Sequence, residues 1–337
     1  MAEEEALEFG EREALILAAR DVGKLSSKQK QRLAEKGVIS PLIFMLHTQD
    51  YESVEAALFA LLNLAFGSER NKLRIAKSGA IPAILKILQW RNESLLELAL
   101  AALLILSSCS GNKPEIASSG AVQLLIQLLV SEFPIGQSIS HQAKLDIIST
   151  LHNLSTSPQI IPSILLSGGL ISLIQLIHES EKSSDIAEKA MALLESIISS
   201  SDIALNQVSE MGGATRVLVE AVEDGTGQCK EHAVGILVQI CRSCRERYRG
   251  MILREGAMPG LLQLSVDGSR QAREKAKALL LLLRDCSHGG SSSRAKQSKR
   301  VLFEEVMRQI DGGGRSGTSI QLVEEMIANL GHDFLFF

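Results

Sequence analysis

Aromatic residues make up only 4% of this 337-residue chain, with one tryptophan, Trp90, and two tyrosines. Sheet proteins lean on aromatic and β-branched side chains, so this scarcity, beside a crowd of Leu, Ile and Ala, predicts an all-α protein packed through aliphatic contacts. Cysteine is equally sparse. Cys109, Cys229, Cys241, Cys244 and Cys286 form an odd, scattered set that excludes a disulfide framework and predicts reduced thiols. No excess of positive charge is present, the formal net charge being -4, which excludes a general phosphate-neutralising face and so general nucleic-acid binding. Long hydrophobic runs are also missing. The uninterrupted apolar stretch from Leu98 to Leu106 is too short to span a bilayer, and the acidic opening "MAEEEALEFG" lacks the basic-then-apolar order of a signal peptide. These absences predict no membrane insertion and a cytoplasmic or nuclear location, or both.

What the chain does contain is repetition. "SGAIPAILKIL" from Ser78 is echoed by "KGVISPLIFML" from Lys36, "SGAVQLLIQLL" from Ser119, "SGGLISLIQLI" from Ser167, "MGGATRVLVEA" from Met211 and "EGAMPGLLQLS" from Glu255. The leading glycines, Gly37, Gly79, Gly120, Gly168, Gly212 and Gly256, stand 42, 41, 48, 44 and 44 residues apart. A period of that size is the sequence signature of a helical repeat array. Each step runs from a short amphipathic segment to the glycine, then an apolar helix, then a longer amphipathic helix such as "YESVEAALFALLNLAF". The glycine ends the first helix without a Cβ penalty, and Pro82 and Pro259 fall in the first turn of the second, where a missing N–H costs nothing.

Six units follow, at 27–66, 69–108, 111–156, 158–200, 202–243 and 245–286. Residues 1–26 precede them, and "EREALILAARDVGKL" there reads as the third helix of a unit that lacks its first two, either a capping helix for the exposed end of the stack or the mark of a shortened form of a longer product. The 48-residue step places a surplus, "SEFPIGQSIS", in a surface loop at 131–140. Residues 287–300 read as a Ser/Gly-rich basic linker, in which "RAKQSKR" is a weak basic patch, and residues 301–337 as a helical tail.

On "SGAIPAILKIL", "ALLNLAF" and "REKAKALLLLLRDC" the chain resembles armadillo-repeat proteins, those of importin-alpha and catenin type and in particular the plant armadillo proteins related to U-box ubiquitin ligases; the resemblance covers about residues 12–286. It implies a right-handed solenoid of about six three-helix repeats whose third helices line a concave groove. In the U-box relatives the U-box recruits the conjugating enzyme and the repeats choose the substrate. No U-box-like segment is read here, so the resemblance implies a binding array without the ubiquitin-recruiting part.

In importin-like arrays a Trp and an Asn four apart on the third helix hold an extended peptide. The matching positions are Phe59 and Asn63, Ala101 and Ile105, Ser149 and Asn153, Ala192 and Ser196, Gly235 and Gln239, Ala278 and Leu282. The Asn stands twice and the Trp nowhere. One turn earlier come Glu55, Glu97, Leu145, Glu188, Glu231 and Glu274, five carboxylates that share a helix face with the groove positions. Two readings stay open: a column that suits a Lys/Arg-bearing partner, or carboxylates serving helix starts and neighbouring lysines such as Lys189 and Lys275.

Catalytic constellations are not legible. "CRSCRERYR" holds one C-x-x-C, Cys241 and Cys244, with no second pair or spaced histidines, and its four arginines, Arg242, Arg245, Arg247 and Arg249, read either as an acidic-segment site or as a solvated turn. No H-E-x-x-H, G-x-S-x-G or Walker motif occurs. The expectation is a non-enzyme with no cofactor or metal: an interaction scaffold that holds a peptide or partner protein, in ubiquitin-linked or stress signalling as the resemblance implies. The alternative is an importin-alpha-type nuclear transport adaptor.

Overall fold

Side-chain oxygens set where the long helices begin. Asp50 accepts from the Ser53 amide, Asn92 from Leu95, Ser140 from Ala143, Ser184 from Ala187, Thr226 from Cys229 and Ser269 from Ala272. Each satisfies an amide that the helix itself leaves unpaired. In the computed structural model, which describes residues 2–90, 92–130 and 139–284, these six caps open α4 (Tyr51–Ala65), α7 (Glu93–Ser107), α10 (His141–Ser155), α13 (Asp185–Ser199), α16 (Gly227–Ser243) and α19 (Arg270–Leu283). Most of the loop at 131–140, Cys286, the linker and the tail lie outside the described residues.

Two shorter helices precede each long one: α2 (Ser27–Glu35) and α3 (Ile39–Leu46), α5 (Glu69–Lys77) and α6 (Ala80–Leu88), α8 (Lys113–Ser118) and α9 (Ala121–Val130), α11 (Ile161–Leu166) and α12 (Gly169–Glu179), α14 (Asp202–Glu210) and α15 (Ala214–Asp224), α17 (Arg245–Arg254) and α18 (Met258–Asp267). The helix α1 (Ala2–Val22) comes before them all, and among the described residues all regular structure is helical. Helices α8 and α11 shrink to six residues behind the 3₁₀ turns Ser110–Asn112 and Pro158–Ile160. Pro114 and Pro162 sit at their starts, where the lost N–H is tolerated.

The turn from first to second helix needs a left-handed residue, and Gly79 supplies it at φ +90°. In the fifth repeat the residue with positive φ is Gly213, at +83°, not Gly212, which corrects the sequence assignment by one position. The chain there takes one more residue in the turn before it reverses, a shift that two adjacent glycines conceal.

The helices fall into two compact bodies, Met1–Ser172 and Leu173–Phe337. In the first, α1 packs on α4, α4 on α7 and α7 on α10; Ile16, Ala19 and Val22 of α1 are buried, so α1 stands where a preceding third helix would. Leu58, Leu61, Ile84, Leu88, Leu100 and Leu103 form its dry interior. Burying each such side chain contributes about 1.5–3 kcal/mol. Buried amides brace the reversals after the long helices: Asn71 Nδ2 donates to Leu64 O at 2.8 Å, and Asn112 Nδ2 to Leu106 O and Lys72 O, both at 3.1 Å. In the second body α13 packs on α16 and α16 on α19, with α15 and α18 behind them.

Candidate partner-binding site

On α4, Tyr51, Glu55, Phe59 and Asn63 follow each other at four-residue intervals and so share one stripe of the helix. Phe59 is 48% and Tyr51 39% exposed, and the Tyr51 hydroxyl lies 3.4 Å from Glu55 Oε1. Asn63 closes the stripe, donating to Phe59 O at 2.9 Å and accepting from Lys30 Nζ at 3.0 Å. Two solvent-facing rings flanking a carboxylate suit an apolar or cationic side chain. Tyr51, which the register argument passed over, belongs to this stripe; its place one turn before Glu55 was the available signal.

The remaining glutamates have a different employment. Glu97 on α7 accepts from the hydroxyl of Ser140, the cap of α10. Glu188 on α13 accepts from Thr226, the cap of α16, and Glu231 on α16 from Ser269, the cap of α19, at 2.6 Å. Each of these three carboxylates thus fastens the start of the next long helix. Glu274 on α19 is 67% exposed at its side chain and pairs with Arg270 at 3.2 Å. The amides at the Asn-equivalent positions act likewise: Asn153 Nδ2 donates to Ser107 Oγ at 3.0 Å, and Gln239 Nε2 to Ser199 Oγ at 2.9 Å, each tying a long helix to the end of the previous one.

A cluster that sequence reasoning missed spans three long helices. Glu195 on α13 places Oε2 2.6 Å from His232 Nδ1 on α16 and Oε1 2.9 Å from Lys275 Nζ on α19. Burial alone would raise the Glu195 carboxyl, but the bonds from His232 and Lys275 outweigh it and hold the group below the usual range. Residues in register with Glu195 are Leu62, Leu104, His152, Val238 and Leu281, so no repeat pattern announces it. The available signal was Gly235, a glycine inside an otherwise strong helix.

The basic run after α16 is partly absorbed by the scaffold. Arg245 Nε donates to Leu282 O at 2.6 Å and its Nη2 to Arg284 O, while Arg249 Nε donates to Leu283 O at 2.7 Å. These guanidinium groups cap the carbonyl end of α19. Arg247 reaches Glu210 at 3.3 Å and lies over the Tyr248 ring. Cys241 is buried and Cys244 exposed, and among the described residues no cluster of three His, Cys, Asp or Glu could hold a metal ion. No single described helix is long and apolar enough to cross a membrane.

Among the described residues, six successive triplets of helices, with the third the longest and the third helices packed in series within each body, have the architecture of an armadillo-repeat fold. Residues 26–66 match the family described as "Armadillo/beta-catenin-like repeat". The chain is 33% identical over 188 residues to U-box domain-containing protein 45 of Arabidopsis thaliana, covering 53% of this chain and 22% of that protein. It is 31% identical over 144 residues to U-box domain-containing protein 17 of the same plant, covering 42% and 19%. The chain thus spans about a fifth of the length of these curated relatives. Among solved structures it is similar to an engineered protein, with TM-score 0.71, 19% identity and coverage of 94% of this chain and 74% of the other. A designed armadillo repeat protein in complex with the peptide (KR)4 is similar at TM-score 0.58 and 19% identity, covering 73% and 99%. The armadillo fold and the likeness to the plant U-box proteins therefore agree with the resemblance that the sequence motifs carry.

Proposed function

We propose that this chain is a non-catalytic interaction scaffold that holds an extended segment of a protein partner against its long helices, with Lys- or Arg-bearing segments favoured. The observation that carries this reading is the α4 stripe, where Phe59 and Tyr51 are exposed around Glu55 although nearly every other apolar residue of α4 is buried. An exposed aromatic pair on an otherwise polar-faced helix is what a binding anchor needs. Support for the basic preference comes from Glu55 and Glu274, whose carboxylates are not spent on a helix cap, and from the (KR)4 peptide in the structurally similar designed protein. The U-box relatives support a place in ubiquitin-linked signalling, with this chain supplying recognition, and the proposal sets that role in the cytoplasm or nucleus. The importin-alpha-type adaptor is less well supported: Asn63 and Asn153 are both engaged within the fold and no Trp stands at the matching positions.

Fluorescence anisotropy with a labelled alternating Lys–Arg octapeptide tests the reading. We expect saturable binding that an alternating Glu–Ala octapeptide does not reproduce. Phe59→Ala should weaken it about tenfold, the scale of a lost aromatic and cation–π contact. Equal binding of both peptides, or no effect of Phe59→Ala, would overturn the proposal.

A further inference from the structure

Gly235 stands on α16 at the position that holds Phe59 on α4, and a Cβ built there would lie 1.8 Å from Glu195 Oε1 and 3.0 Å from Lys275 Nζ. A side chain at this position would have to push the Glu195 carboxylate and the Lys275 ammonium out of the place they share. The place is taken by a carboxylate reaching over from α13 and an ammonium reaching back from α19, which meet across the helix between them. Both carboxylate oxygens are engaged, one by Lys275 and one by His232, and Lys275 also lies 3.9 Å from Glu231 Oε1. The cluster is partly open to solvent, with side-chain exposures of 16% for Glu195 and 30% for Lys275.

The glutamate-to-cap bonds recur from repeat to repeat. The pairing of Glu195 with Lys275 does not. In register with Lys275 stand Ala56, Leu98, Asp146, Lys189 and His232, so a lysine recurs at this position only on α13. The glycine also weakens α16, which an ordinary packing position would not require. What the arrangement does achieve is to fill, with this chain's own cation, the spot where the first repeat offers an exposed ring.

We propose that Lys275 is a built-in pseudo-ligand. It holds Glu195 and closes this stretch of the second body's long-helix face, so that a partner's ammonium or guanidinium enters only by displacing it. This rests on the reading of the long helices as a face for a basic segment, and it makes Lys275 a specificity device that suppresses binding to simple basic peptides at this position.

The test uses the full chain and the same Lys–Arg octapeptide, with melting temperature and circular dichroism recorded for every variant. Lys275→Ala should bind the peptide about tenfold more tightly than the unaltered protein, the scale of a charge pair at a half-buried site. Lys275→Met, which keeps the aliphatic stem, should gain equally and stands in if the alanine variant does not fold. Lys275→Arg should behave as the unaltered protein, and adding Glu195→Gln to Lys275→Ala should remove the gain. The gain should persist in a Phe59→Ala background, so loss of the α4 site and failure of the plug are separately visible. Unchanged or weaker binding in folded Lys275→Ala and Lys275→Met overturns the plug, whether or not Phe59 matters. A gain that survives Glu195→Gln overturns it too, because the carboxylate would then not be the acceptor.

Discussion

Gly212 and Gly213 are adjacent and chemically identical, yet only Gly213 has a left-handed backbone, and neither meets another atom within 4 Å of a built Cβ. Space is therefore not the issue for either; conformation is. Gly213→Ala should destabilise the protein by about 1 kcal/mol or more, the cost of a left-handed Cβ, while Gly212→Ala should be neutral or stabilising by up to about 1 kcal/mol through a less flexible unfolded chain. Urea midpoints of the two variants check this, and equal midpoints would refute it. The thiols divide as sharply. Burial pushes Cys229 up to about 11 and also raises Cys109 and Cys241, whereas Cys244 is exposed. Brief iodoacetamide treatment near neutral pH, with Cys286 replaced by Ser, should modify Cys244 alone, read by peptide mass spectrometry; modification of Cys229 at a comparable rate would contradict its burial.

At the scale of the helix, the recurring glutamate gains a physical meaning that spacing alone left open. A carboxylate in the early turns of one long helix accepts a hydrogen bond from the hydroxyl of the next long helix's cap, and that hydroxyl oxygen in turn accepts one from an amide of its own helix. The Ser or Thr is thus donor and acceptor at once. Thr226→Ala removes both bonds and should cost about 1–2 kcal/mol, while Thr226→Ser keeps both and should cost little. Glu188→Gln, which keeps an acceptor oxygen, should fall between them in a urea titration. A Thr226→Ala variant as stable as the serine variant would show that the hydroxyl carries nothing. Reversing Glu188 or Glu231 to Lys therefore disturbs the fold as well as any partner, which makes Glu55 and Glu274 the cleaner probes of charge recognition.

Across the whole molecule, the helical class and the order of elements were legible because each boundary is written in local chemistry: a capping oxygen, a glycine with φ above zero, an apolar run with helical spacing. The site was legible only in part. Phe59 and Asn63 follow from register, but the Glu195–His232–Lys275 cluster joins residues up to 80 apart in sequence across three helices, and only the packing of α13, α16 and α19 reveals it. The first helix shows the same limit. Its apolar spacing marks an amphipathic helix that packs on a neighbour, yet its latch, Arg12 Nε to Asp50 Oδ2 at 2.8 Å and Nη2 to Asp50 Oδ1 at 2.6 Å, with Glu52 at 3.2 Å, depends on tertiary geometry. Arg12, aided by Ser53, lowers the Asp50 carboxyl to about 2. A folded-state value below the ordinary one means that the latch contributes fully above about pH 4, where the free carboxyl is ionised, and is lost as pH falls through about 2. Asp50→Asn keeps a capping oxygen and removes the charge. Its melting temperature should lie below that of the unaltered protein near pH 5, and the gap should close as both are acidified toward pH 2. Taking the difference between the two proteins cancels the other carboxylates, so a gap that stays constant across this range would show that α1 is held by Ile16, Ala19 and Val22 alone.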